Sequence, residues 1–192
     1  MNRKLKNLVL QLLNEHRVMT IATNRQDGWP QATIVGYVND GFLLYCFVAQ
    51  NAQKYANILR DPRVSIAIGS DSSQPRDIKG LSLAARASPV TDRDEFDYVS
   101  ALRLGRYPEY AASPQSATTD GAAQRAAPRP SPDSVVLLRI VPEIISVVDY
   151  SKAFGHSDLI AFSERDLDRH IKSIRHHWTE MSGADIEEQD WE

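Results

Sequence analysis

Apolar residues recur along the chain at two spacings, and each spacing predicts an element. Leu5, Leu8, Val9, Leu12 and Leu13 share one helical face, so the opening segment predicts an amphipathic helix. "RVMTIAT" is rich in β-branched residues and predicts a strand, which "NRQDGWP" interrupts with Asp27-Gly28 as turn signal. "QATIVGYV" predicts a second strand, and Asp40-Gly41 a tight hairpin turn after it. "FLLYCFV" predicts a third, nearly continuous in apolar residues. These three strands predict an antiparallel meander at the centre of the fold.

"NAQKYANILRDPRV" then predicts a short helix, with Asn51 as N-cap. Its buried stripe reads as Ala52, Tyr55, Ala56 and Leu59, with Lys54 on the opposite side. Pro62 ends it by disfavouring helical geometry at Asp61. "RVSIAIG" and "IKGLSLAARASPV" predict the fourth and fifth strands. Thr91 with Asp94 resembles a capping box and opens a helix through Leu104. Between Ala111 and Ser134 there is no Val, Ile, Leu, Met or aromatic residue and there are four prolines. Such a stretch buries too little to offset its ordering entropy, and predicts a mobile loop inserted at 111–134. "SVVLLRIV" and "IISVVDY" predict strands six and seven, separated by a break at Pro142. Ser163 with Asp166 starts a polar last helix reaching Met181, and residues 183–192 form a loose acidic tail. The pattern predicts a single mainly β domain over 1–192, a barrel or sandwich with helices packed outside.

Composition narrows the function. The chain has 192 residues and a net charge of -3, so no basic excess argues for nucleic acid. The start does not read as a signal peptide, and no apolar run approaches the roughly 20 residues of a spanning helix. The expectation is a cytoplasmic protein with no membrane contact. Cys46 is the one cysteine, which rules out an internal disulfide and a cysteine zinc cluster. On a buried strand it reads as a small hydrophobe before it reads as a redox thiol. His170, His176 and His177 have no pair at i, i+4, so they form no helical metal clip. His156 follows Gly155 in a turn after the last strand and reads as a loop histidine or as a neighbour of a cofactor. Trp29 reads as a dimer contact or a lid.

Lys54 is the residue that breaks a local rule. The amino end of a helix is its positive end, so a cation there is unfavourable unless an anion is bound. First-turn N–H groups without helical partners can receive that anion. A solvated surface lysine is the plainer alternative, since the mismatch costs only roughly 0.3–1 kcal/mol.

The ordered set of motifs goes further. "IAT" in the first strand, "G-x-P" entering the second, "DG" before the third, a lysine eight residues before "PRVS", and later "LSLAARASPVTD" and "LLRIVPEIISVVDYSKAFGH" recur in one order. Together they resemble the pyridoxamine 5'-phosphate oxidase-like superfamily of FMN-binding split barrels, over roughly Leu12 to Phe162. The resemblance implies an antiparallel split β-barrel with peripheral helices. It also implies a homodimer with FMN at the subunit interface. Thr33, Ile34 and Val35 match positions lining the phosphate and the flavin ring. Tyr45 and Cys46 match a tyrosine–threonine pair near the pyrimidine edge. Gln53 and Lys54 match an arginine–lysine pair on the phosphate, and Lys79 and Gly80 match positions that reach the flavin from the partner subunit.

This chain also departs from the oxidase. Thr33 and Gln53 stand where it has arginines, leaving Lys54 the remaining phosphate cation, with Arg86 a candidate replacement. Ala85 stands where glycine is usual. The oxidase's terminal arginine–histidine motif, which holds the vitamin substrate, has no counterpart. The implied function is therefore an FMN-dependent oxidoreductase, using a nicotinamide or other small donor and a small-molecule acceptor, but not vitamin B6 oxidation. A non-enzymatic flavin-binding or sensing dimer, and a haem- or deazaflavin-binding split barrel, are the alternatives.

Overall fold

In the computed structural model, residues 3–69, 71–108, 134–153 and 155–162 are described. The 111–134 loop (except Ser134), the last helix with its three histidines, and the acidic tail lie outside them.

Helix α1 (Arg3–Glu15) forms as its spacing predicts and buries Val9, Leu12 and Leu13. Strands β1 (Val18–Asn24) and β2 (Pro30–Gly36) pair as a hairpin, with Gly28 at φ 87 in the turn. The predicted second strand is in fact two. After Tyr37 the chain continues as β3 (Val38–Asp40), which pairs not with β1 but with β4 (Leu43–Ala49) across Gly41 at φ 57. The expected meander is therefore interrupted: β2 and β4 are not laddered to each other.

Helix α2 (Gln53–Arg60) leads into β5 (Arg63–Gly69). The one-turn helix Pro75–Asp77 connects to β6 (Lys79–Pro89), and α3 (Arg93–Arg106) follows. Its cap is Asp92, which accepts the Glu95 N–H, one residue beyond the predicted Thr91. Pro142 makes no break. Strand β7 (Val135–Asp149) runs through it, because the β6–β7 register slips there: Ala85 faces Pro142 while Ala84 faces Ile144, so Glu143 is skipped. A bulge supplies the freedom that a ladder proline needs. Strand β8 (Ser157–Ala161), which the sequence pattern does not reveal, pairs back on β7.

The sheet path is β2-β1-β5-β6-β7-β4-β3, with β8 beside β7. Its first and last strands are consecutive in the chain, joined through Tyr37 alone. The sheet thus curls into a barrel that is split between β2 and β4. Alternation fills it: Met19, Ile21, Val64, Ile66, Leu81, Leu83, Leu138 and Ile140 point inward with the stripe of α1. A smaller cluster of Val38, Tyr45, Val99, Tyr107 and Leu137 seats α3 on the outside. Arg106, at the end of α3, crosses to α1. It donates to the carbonyls of Leu13, Asn14 and His16, each at 2.8 Å, and to Asn39 Oδ1.

Candidate cofactor site

The split leaves one edge of β2 without a ladder partner, since β2 pairs only with β1. Inward from that edge, Thr33 and Val35 are half-buried; outward, Ile34 is 74% exposed. Thr33 Oγ1 is buried and has no hydrogen-bond partner. Buried hydroxyls are normally satisfied, so an orphan invites a ligand or water.

Helix α2 starts beside this gap, but not as predicted. Its N-cap is Ala52, which supplies no side-chain oxygen; Asn51 sits in the exposed turn before it. The buried face is also different. Asn57 and Ile58 are buried, Lys54 and Tyr55 half-buried, and Ala56 and Leu59 exposed. Lys54 lies one turn before Asn57 and Ile58, so it is on the inward side rather than opposite it. Its positive charge reaches the Cys46 thiol inside the barrel. Burial nevertheless dominates there and pushes the Cys46 pKa up to about 12. The thiol is therefore a protonated core group, as its place on a strand suggests.

Asn57 is the site residue that sequence reasoning missed. Its Nδ2 donates to Thr23 Oγ1 at 3.0 Å and Gln31 Oε1 at 3.2 Å, and its Oδ1 accepts from Gln53 Nε2 at 3.0 Å. This amide anchors α2 to β1 and β2, and sets the height of Lys54. Gln53 is thereby engaged with its own helix. Asparagine usually signals a turn or cap, so a buried mid-helix role leaves no pattern in one sequence.

The remaining residues fall elsewhere. Tyr45 and Cys46 face opposite sides of β4, Tyr45 into the α3 cluster and Cys46 into the barrel. Tyr45 donates to Glu95 Oε1 at 3.0 Å, and Glu95 accepts from Arg139 at 3.2 Å. Burial, then the bond to Glu95, raises the Tyr45 pKa to about 12. Lys79 and Gly80 sit at one end of the β5–β6 ladder, opposite Asp149 and Gly69, whereas Asn57 packs level with Val64 and Ala85 at the other. Within one chain they do not join Lys54. Gly80 also has a structural reason to be glycine: a Cβ would lie 3.0 Å from the Ile68 carbonyl oxygen. Arg86 points outward and pairs with Glu143 at 2.5 Å, so it does not replace the missing arginines. His156 precedes β8, and its Nε2 lies 3.2 Å from Asp158.

The gap thus offers an uncapped helix start, one half-buried cation, an orphan hydroxyl and an unpaired strand edge. Groups of this kind are suited to binding and orienting a ligand; none is poised as an acid or base. They fit an anion joined to a planar amide-rich group, because a flat heterocycle with alternating donors and acceptors can be read by a bare strand edge. Among the described residues no cluster of His, Cys, Asp or Glu could hold a metal, and no helix is long and apolar enough to cross a membrane.

Comparison with known proteins agrees with this architecture. The family model for pyridoxamine 5'-phosphate oxidase matches residues 5–147, and the chain belongs to that family. A heme binding protein from Mycobacterium smegmatis shares the fold at 21% identity and a TM-score of 0.62, over 84% of this chain and 59% of that one. A conserved hypothetical protein from Mycobacterium tuberculosis does so at 24% identity and 0.59, over 86% and 94%. A FAD-binding protein from Mesorhizobium loti does so at 19% identity and 0.52, over 73% and 90%. No curated protein matches the sequence.

Proposed function

We propose that this protein is a flavoprotein that binds FMN in the barrel split and works as an oxidoreductase. The observation that carries this reading is Lys54, half-buried at the uncapped start of α2 beside the unpaired edge of β2. Lys54 and the first N–H groups of α2 would hold the phosphate. The backbone of Thr33, Ile34 and Val35 would hold the ring edge, with the Thr33 hydroxyl finding its missing partner there. FMN supplies the redox chemistry, taking up hydride or electrons from a nicotinamide or other small donor for a small acceptor. The chain's part is to bind, orient and exclude water.

A homodimer completes this picture. The exposure of Ile34 and Trp29 supports the β1–β2 face as the contact in this reading, with Lys79 and Gly80 of a second copy the groups that would approach the ring. With one cation holding the phosphate, Lys54→Ala is expected to weaken FMN binding by about 10–100-fold, the worth of a charge-assisted hydrogen bond. An absorption spectrum of the purified protein, followed by FMN titration of wild type and Lys54→Ala, tests it. A colourless wild-type protein that also takes up no added FMN refutes the reading.

Haem binding is the second reading, favoured by the resemblance to the mycobacterial heme binding protein. It would call on His156, whose Nε2 is already turned to Asp158. A Soret band on haem addition, lost in His156→Ala, would establish it instead.

A further inference from the structure

We propose that Asn57 is a positioning residue of the cofactor site, and that preference for a phosphate-bearing flavin depends on it. The proposal rests on the flavin reading and deepens it. Asn57 is 2% exposed, inside α2 and next to Ile58, which is buried to the same degree. A leucine there would be the more stable choice, since asparagine is a poorer helix former and a buried amide must be paired. A residue that breaks local rules in this way tends to sit at a functional site.

The hydrogen bonds of Asn57 run to both halves of the site. Its Nδ2 commits both hydrogens to the sheet, one to Thr23 Oγ1 at 3.0 Å and one to Gln31 Oε1 at 3.2 Å. Thr23 and Gln31 face each other across the β1–β2 ladder, so the amide straddles that pair. On the helix side its Oδ1 accepts from Gln53 Nε2 at 3.0 Å. Lys54, three residues before Asn57, lies on the same side of α2. The Lys54 ammonium makes no hydrogen bond or ion pair with a described residue. Thr33, whose hydroxyl is the orphan, lies two residues beyond Gln31 and on the same face of β2.

One amide therefore fixes the separation between the helix start that would take a phosphate and the strand edge that would take a ring. Ile58 seats the helix, but apolar contact is non-directional and leaves its rotation free. Hydrogen bonds are directional and set it. In FMN the phosphate and the ring are joined by one ribityl chain. A fixed separation lets both ends bind at once, so each end raises the effective concentration of the other.

Fluorescence titration of the full chain with FMN and with riboflavin, which lacks the phosphate, tests this. The readout is the ratio of the two dissociation constants. Thr23→Val/Asn57→Leu replaces both ends of the buried bond with apolar groups and leaves no orphan at Thr23, a change that folded proteins tolerate. The preference for FMN is expected to fall about tenfold, as for a lost supporting contact behind a ligating group. Added to Lys54→Ala, the same pair should weaken FMN by less than about twofold more, because the group it positions is gone. Gln31→Met, which touches only the half-buried partner, should lower the preference about threefold. An unchanged preference in Thr23→Val/Asn57→Leu, or in Gln31→Met should the first variant not fold, overturns the proposal. So does a loss shared equally by FMN and riboflavin, which a purely structural amide would give, and so does full additivity with Lys54→Ala. A wild type that takes up no FMN fails the flavin reading itself. A wild type that prefers FMN, with variants that keep that preference, fails this proposal alone.

Discussion

Arg106 joins three elements, and replacing it with methionine should cost more than a surface arginine would. Its Nη2 reaches three carbonyls at the end of α1, each at 2.8 Å, and its Nη1 serves Asn39 Oδ1. The guanidinium also lies 5.7 Å from the Tyr37 ring centroid and 5.6 Å from that of Tyr107. The last carbonyls of a helix have no helical donor and carry its negative end, so a cation is the favourable partner. Hydrogen bonds to charged groups contribute about 1.5–3 kcal/mol each. One Nη2 has two hydrogens for three carbonyls, and the freed carbonyls near the surface regain water. The net loss in Arg106→Met is therefore about 2–4 kcal/mol. Methionine keeps the apolar stem, so packing loss is small. In urea, with a slope of about 2 kcal/mol/M, the midpoint should fall by about 1–2 M with the slope unchanged. Arg106→Lys should fall between, because an ammonium keeps the charge but not the fork. A loss below about 0.5 kcal/mol, the range of ordinary surface substitutions, would refute this account.

Two further outcomes follow from titrating groups. Cys46 should resist alkylation in the native protein at pH 8 and react fully after unfolding, because burial holds the thiol protonated; rapid native labelling would contradict its placement. Burial pushes the Asp149 carboxyl up, but the Ser151 hydroxyl and N–H and the charges of Lys79 and Lys152 outweigh it and hold the pKa below the usual range. A lowered folded pKa means stability that is present above the unfolded value and lost as pH falls through the folded one. Melting temperature should therefore drop on acidification through and below about pH 4. Asp149→Asn should flatten that drop in part, since Asp61, held low by Arg63 and Asn24, acts in the same direction. An unchanged acid limb in the variant would exclude the linkage.

Much of the barrel was legible because local signals and tertiary structure agree. The Asp-Gly pairs did place their glycines at positive φ, and the stripe of α1 is the buried one. The failures share a cause: each depends on a partner distant in sequence. The alternation of "QATIVGYV" continues smoothly through Tyr37, so nothing local shows that its two halves pair with different strands. Pro142 reads as a break until the bulge opposite Ala84 and Ala85 is known. Lys54 breaks the helix-dipole rule in the sequence, yet it lies toward the buried face and not opposite it. The small alanines read as buried, whereas the helix buries Ile58 and polar Asn57, the latter satisfied by Thr23 and Gln31.

The passage through Tyr37 has a consequence for how the barrel opens. Bringing the ends of a sheet together ordinarily costs loop-closure entropy that grows with the intervening chain. Here a single residue separates the terminal strands β2 and β3, so that cost nearly vanishes. Neither strand can fray as a free end, because peeling one pulls on the other. Tyr37 itself is clamped, its N–H on the Arg17 carbonyl at 3.2 Å and its hydroxyl on that of Leu13 at 2.8 Å. The edge bordering the split is thus unpaired yet tethered at one end, able to meet a flat ligand without becoming a loose strand.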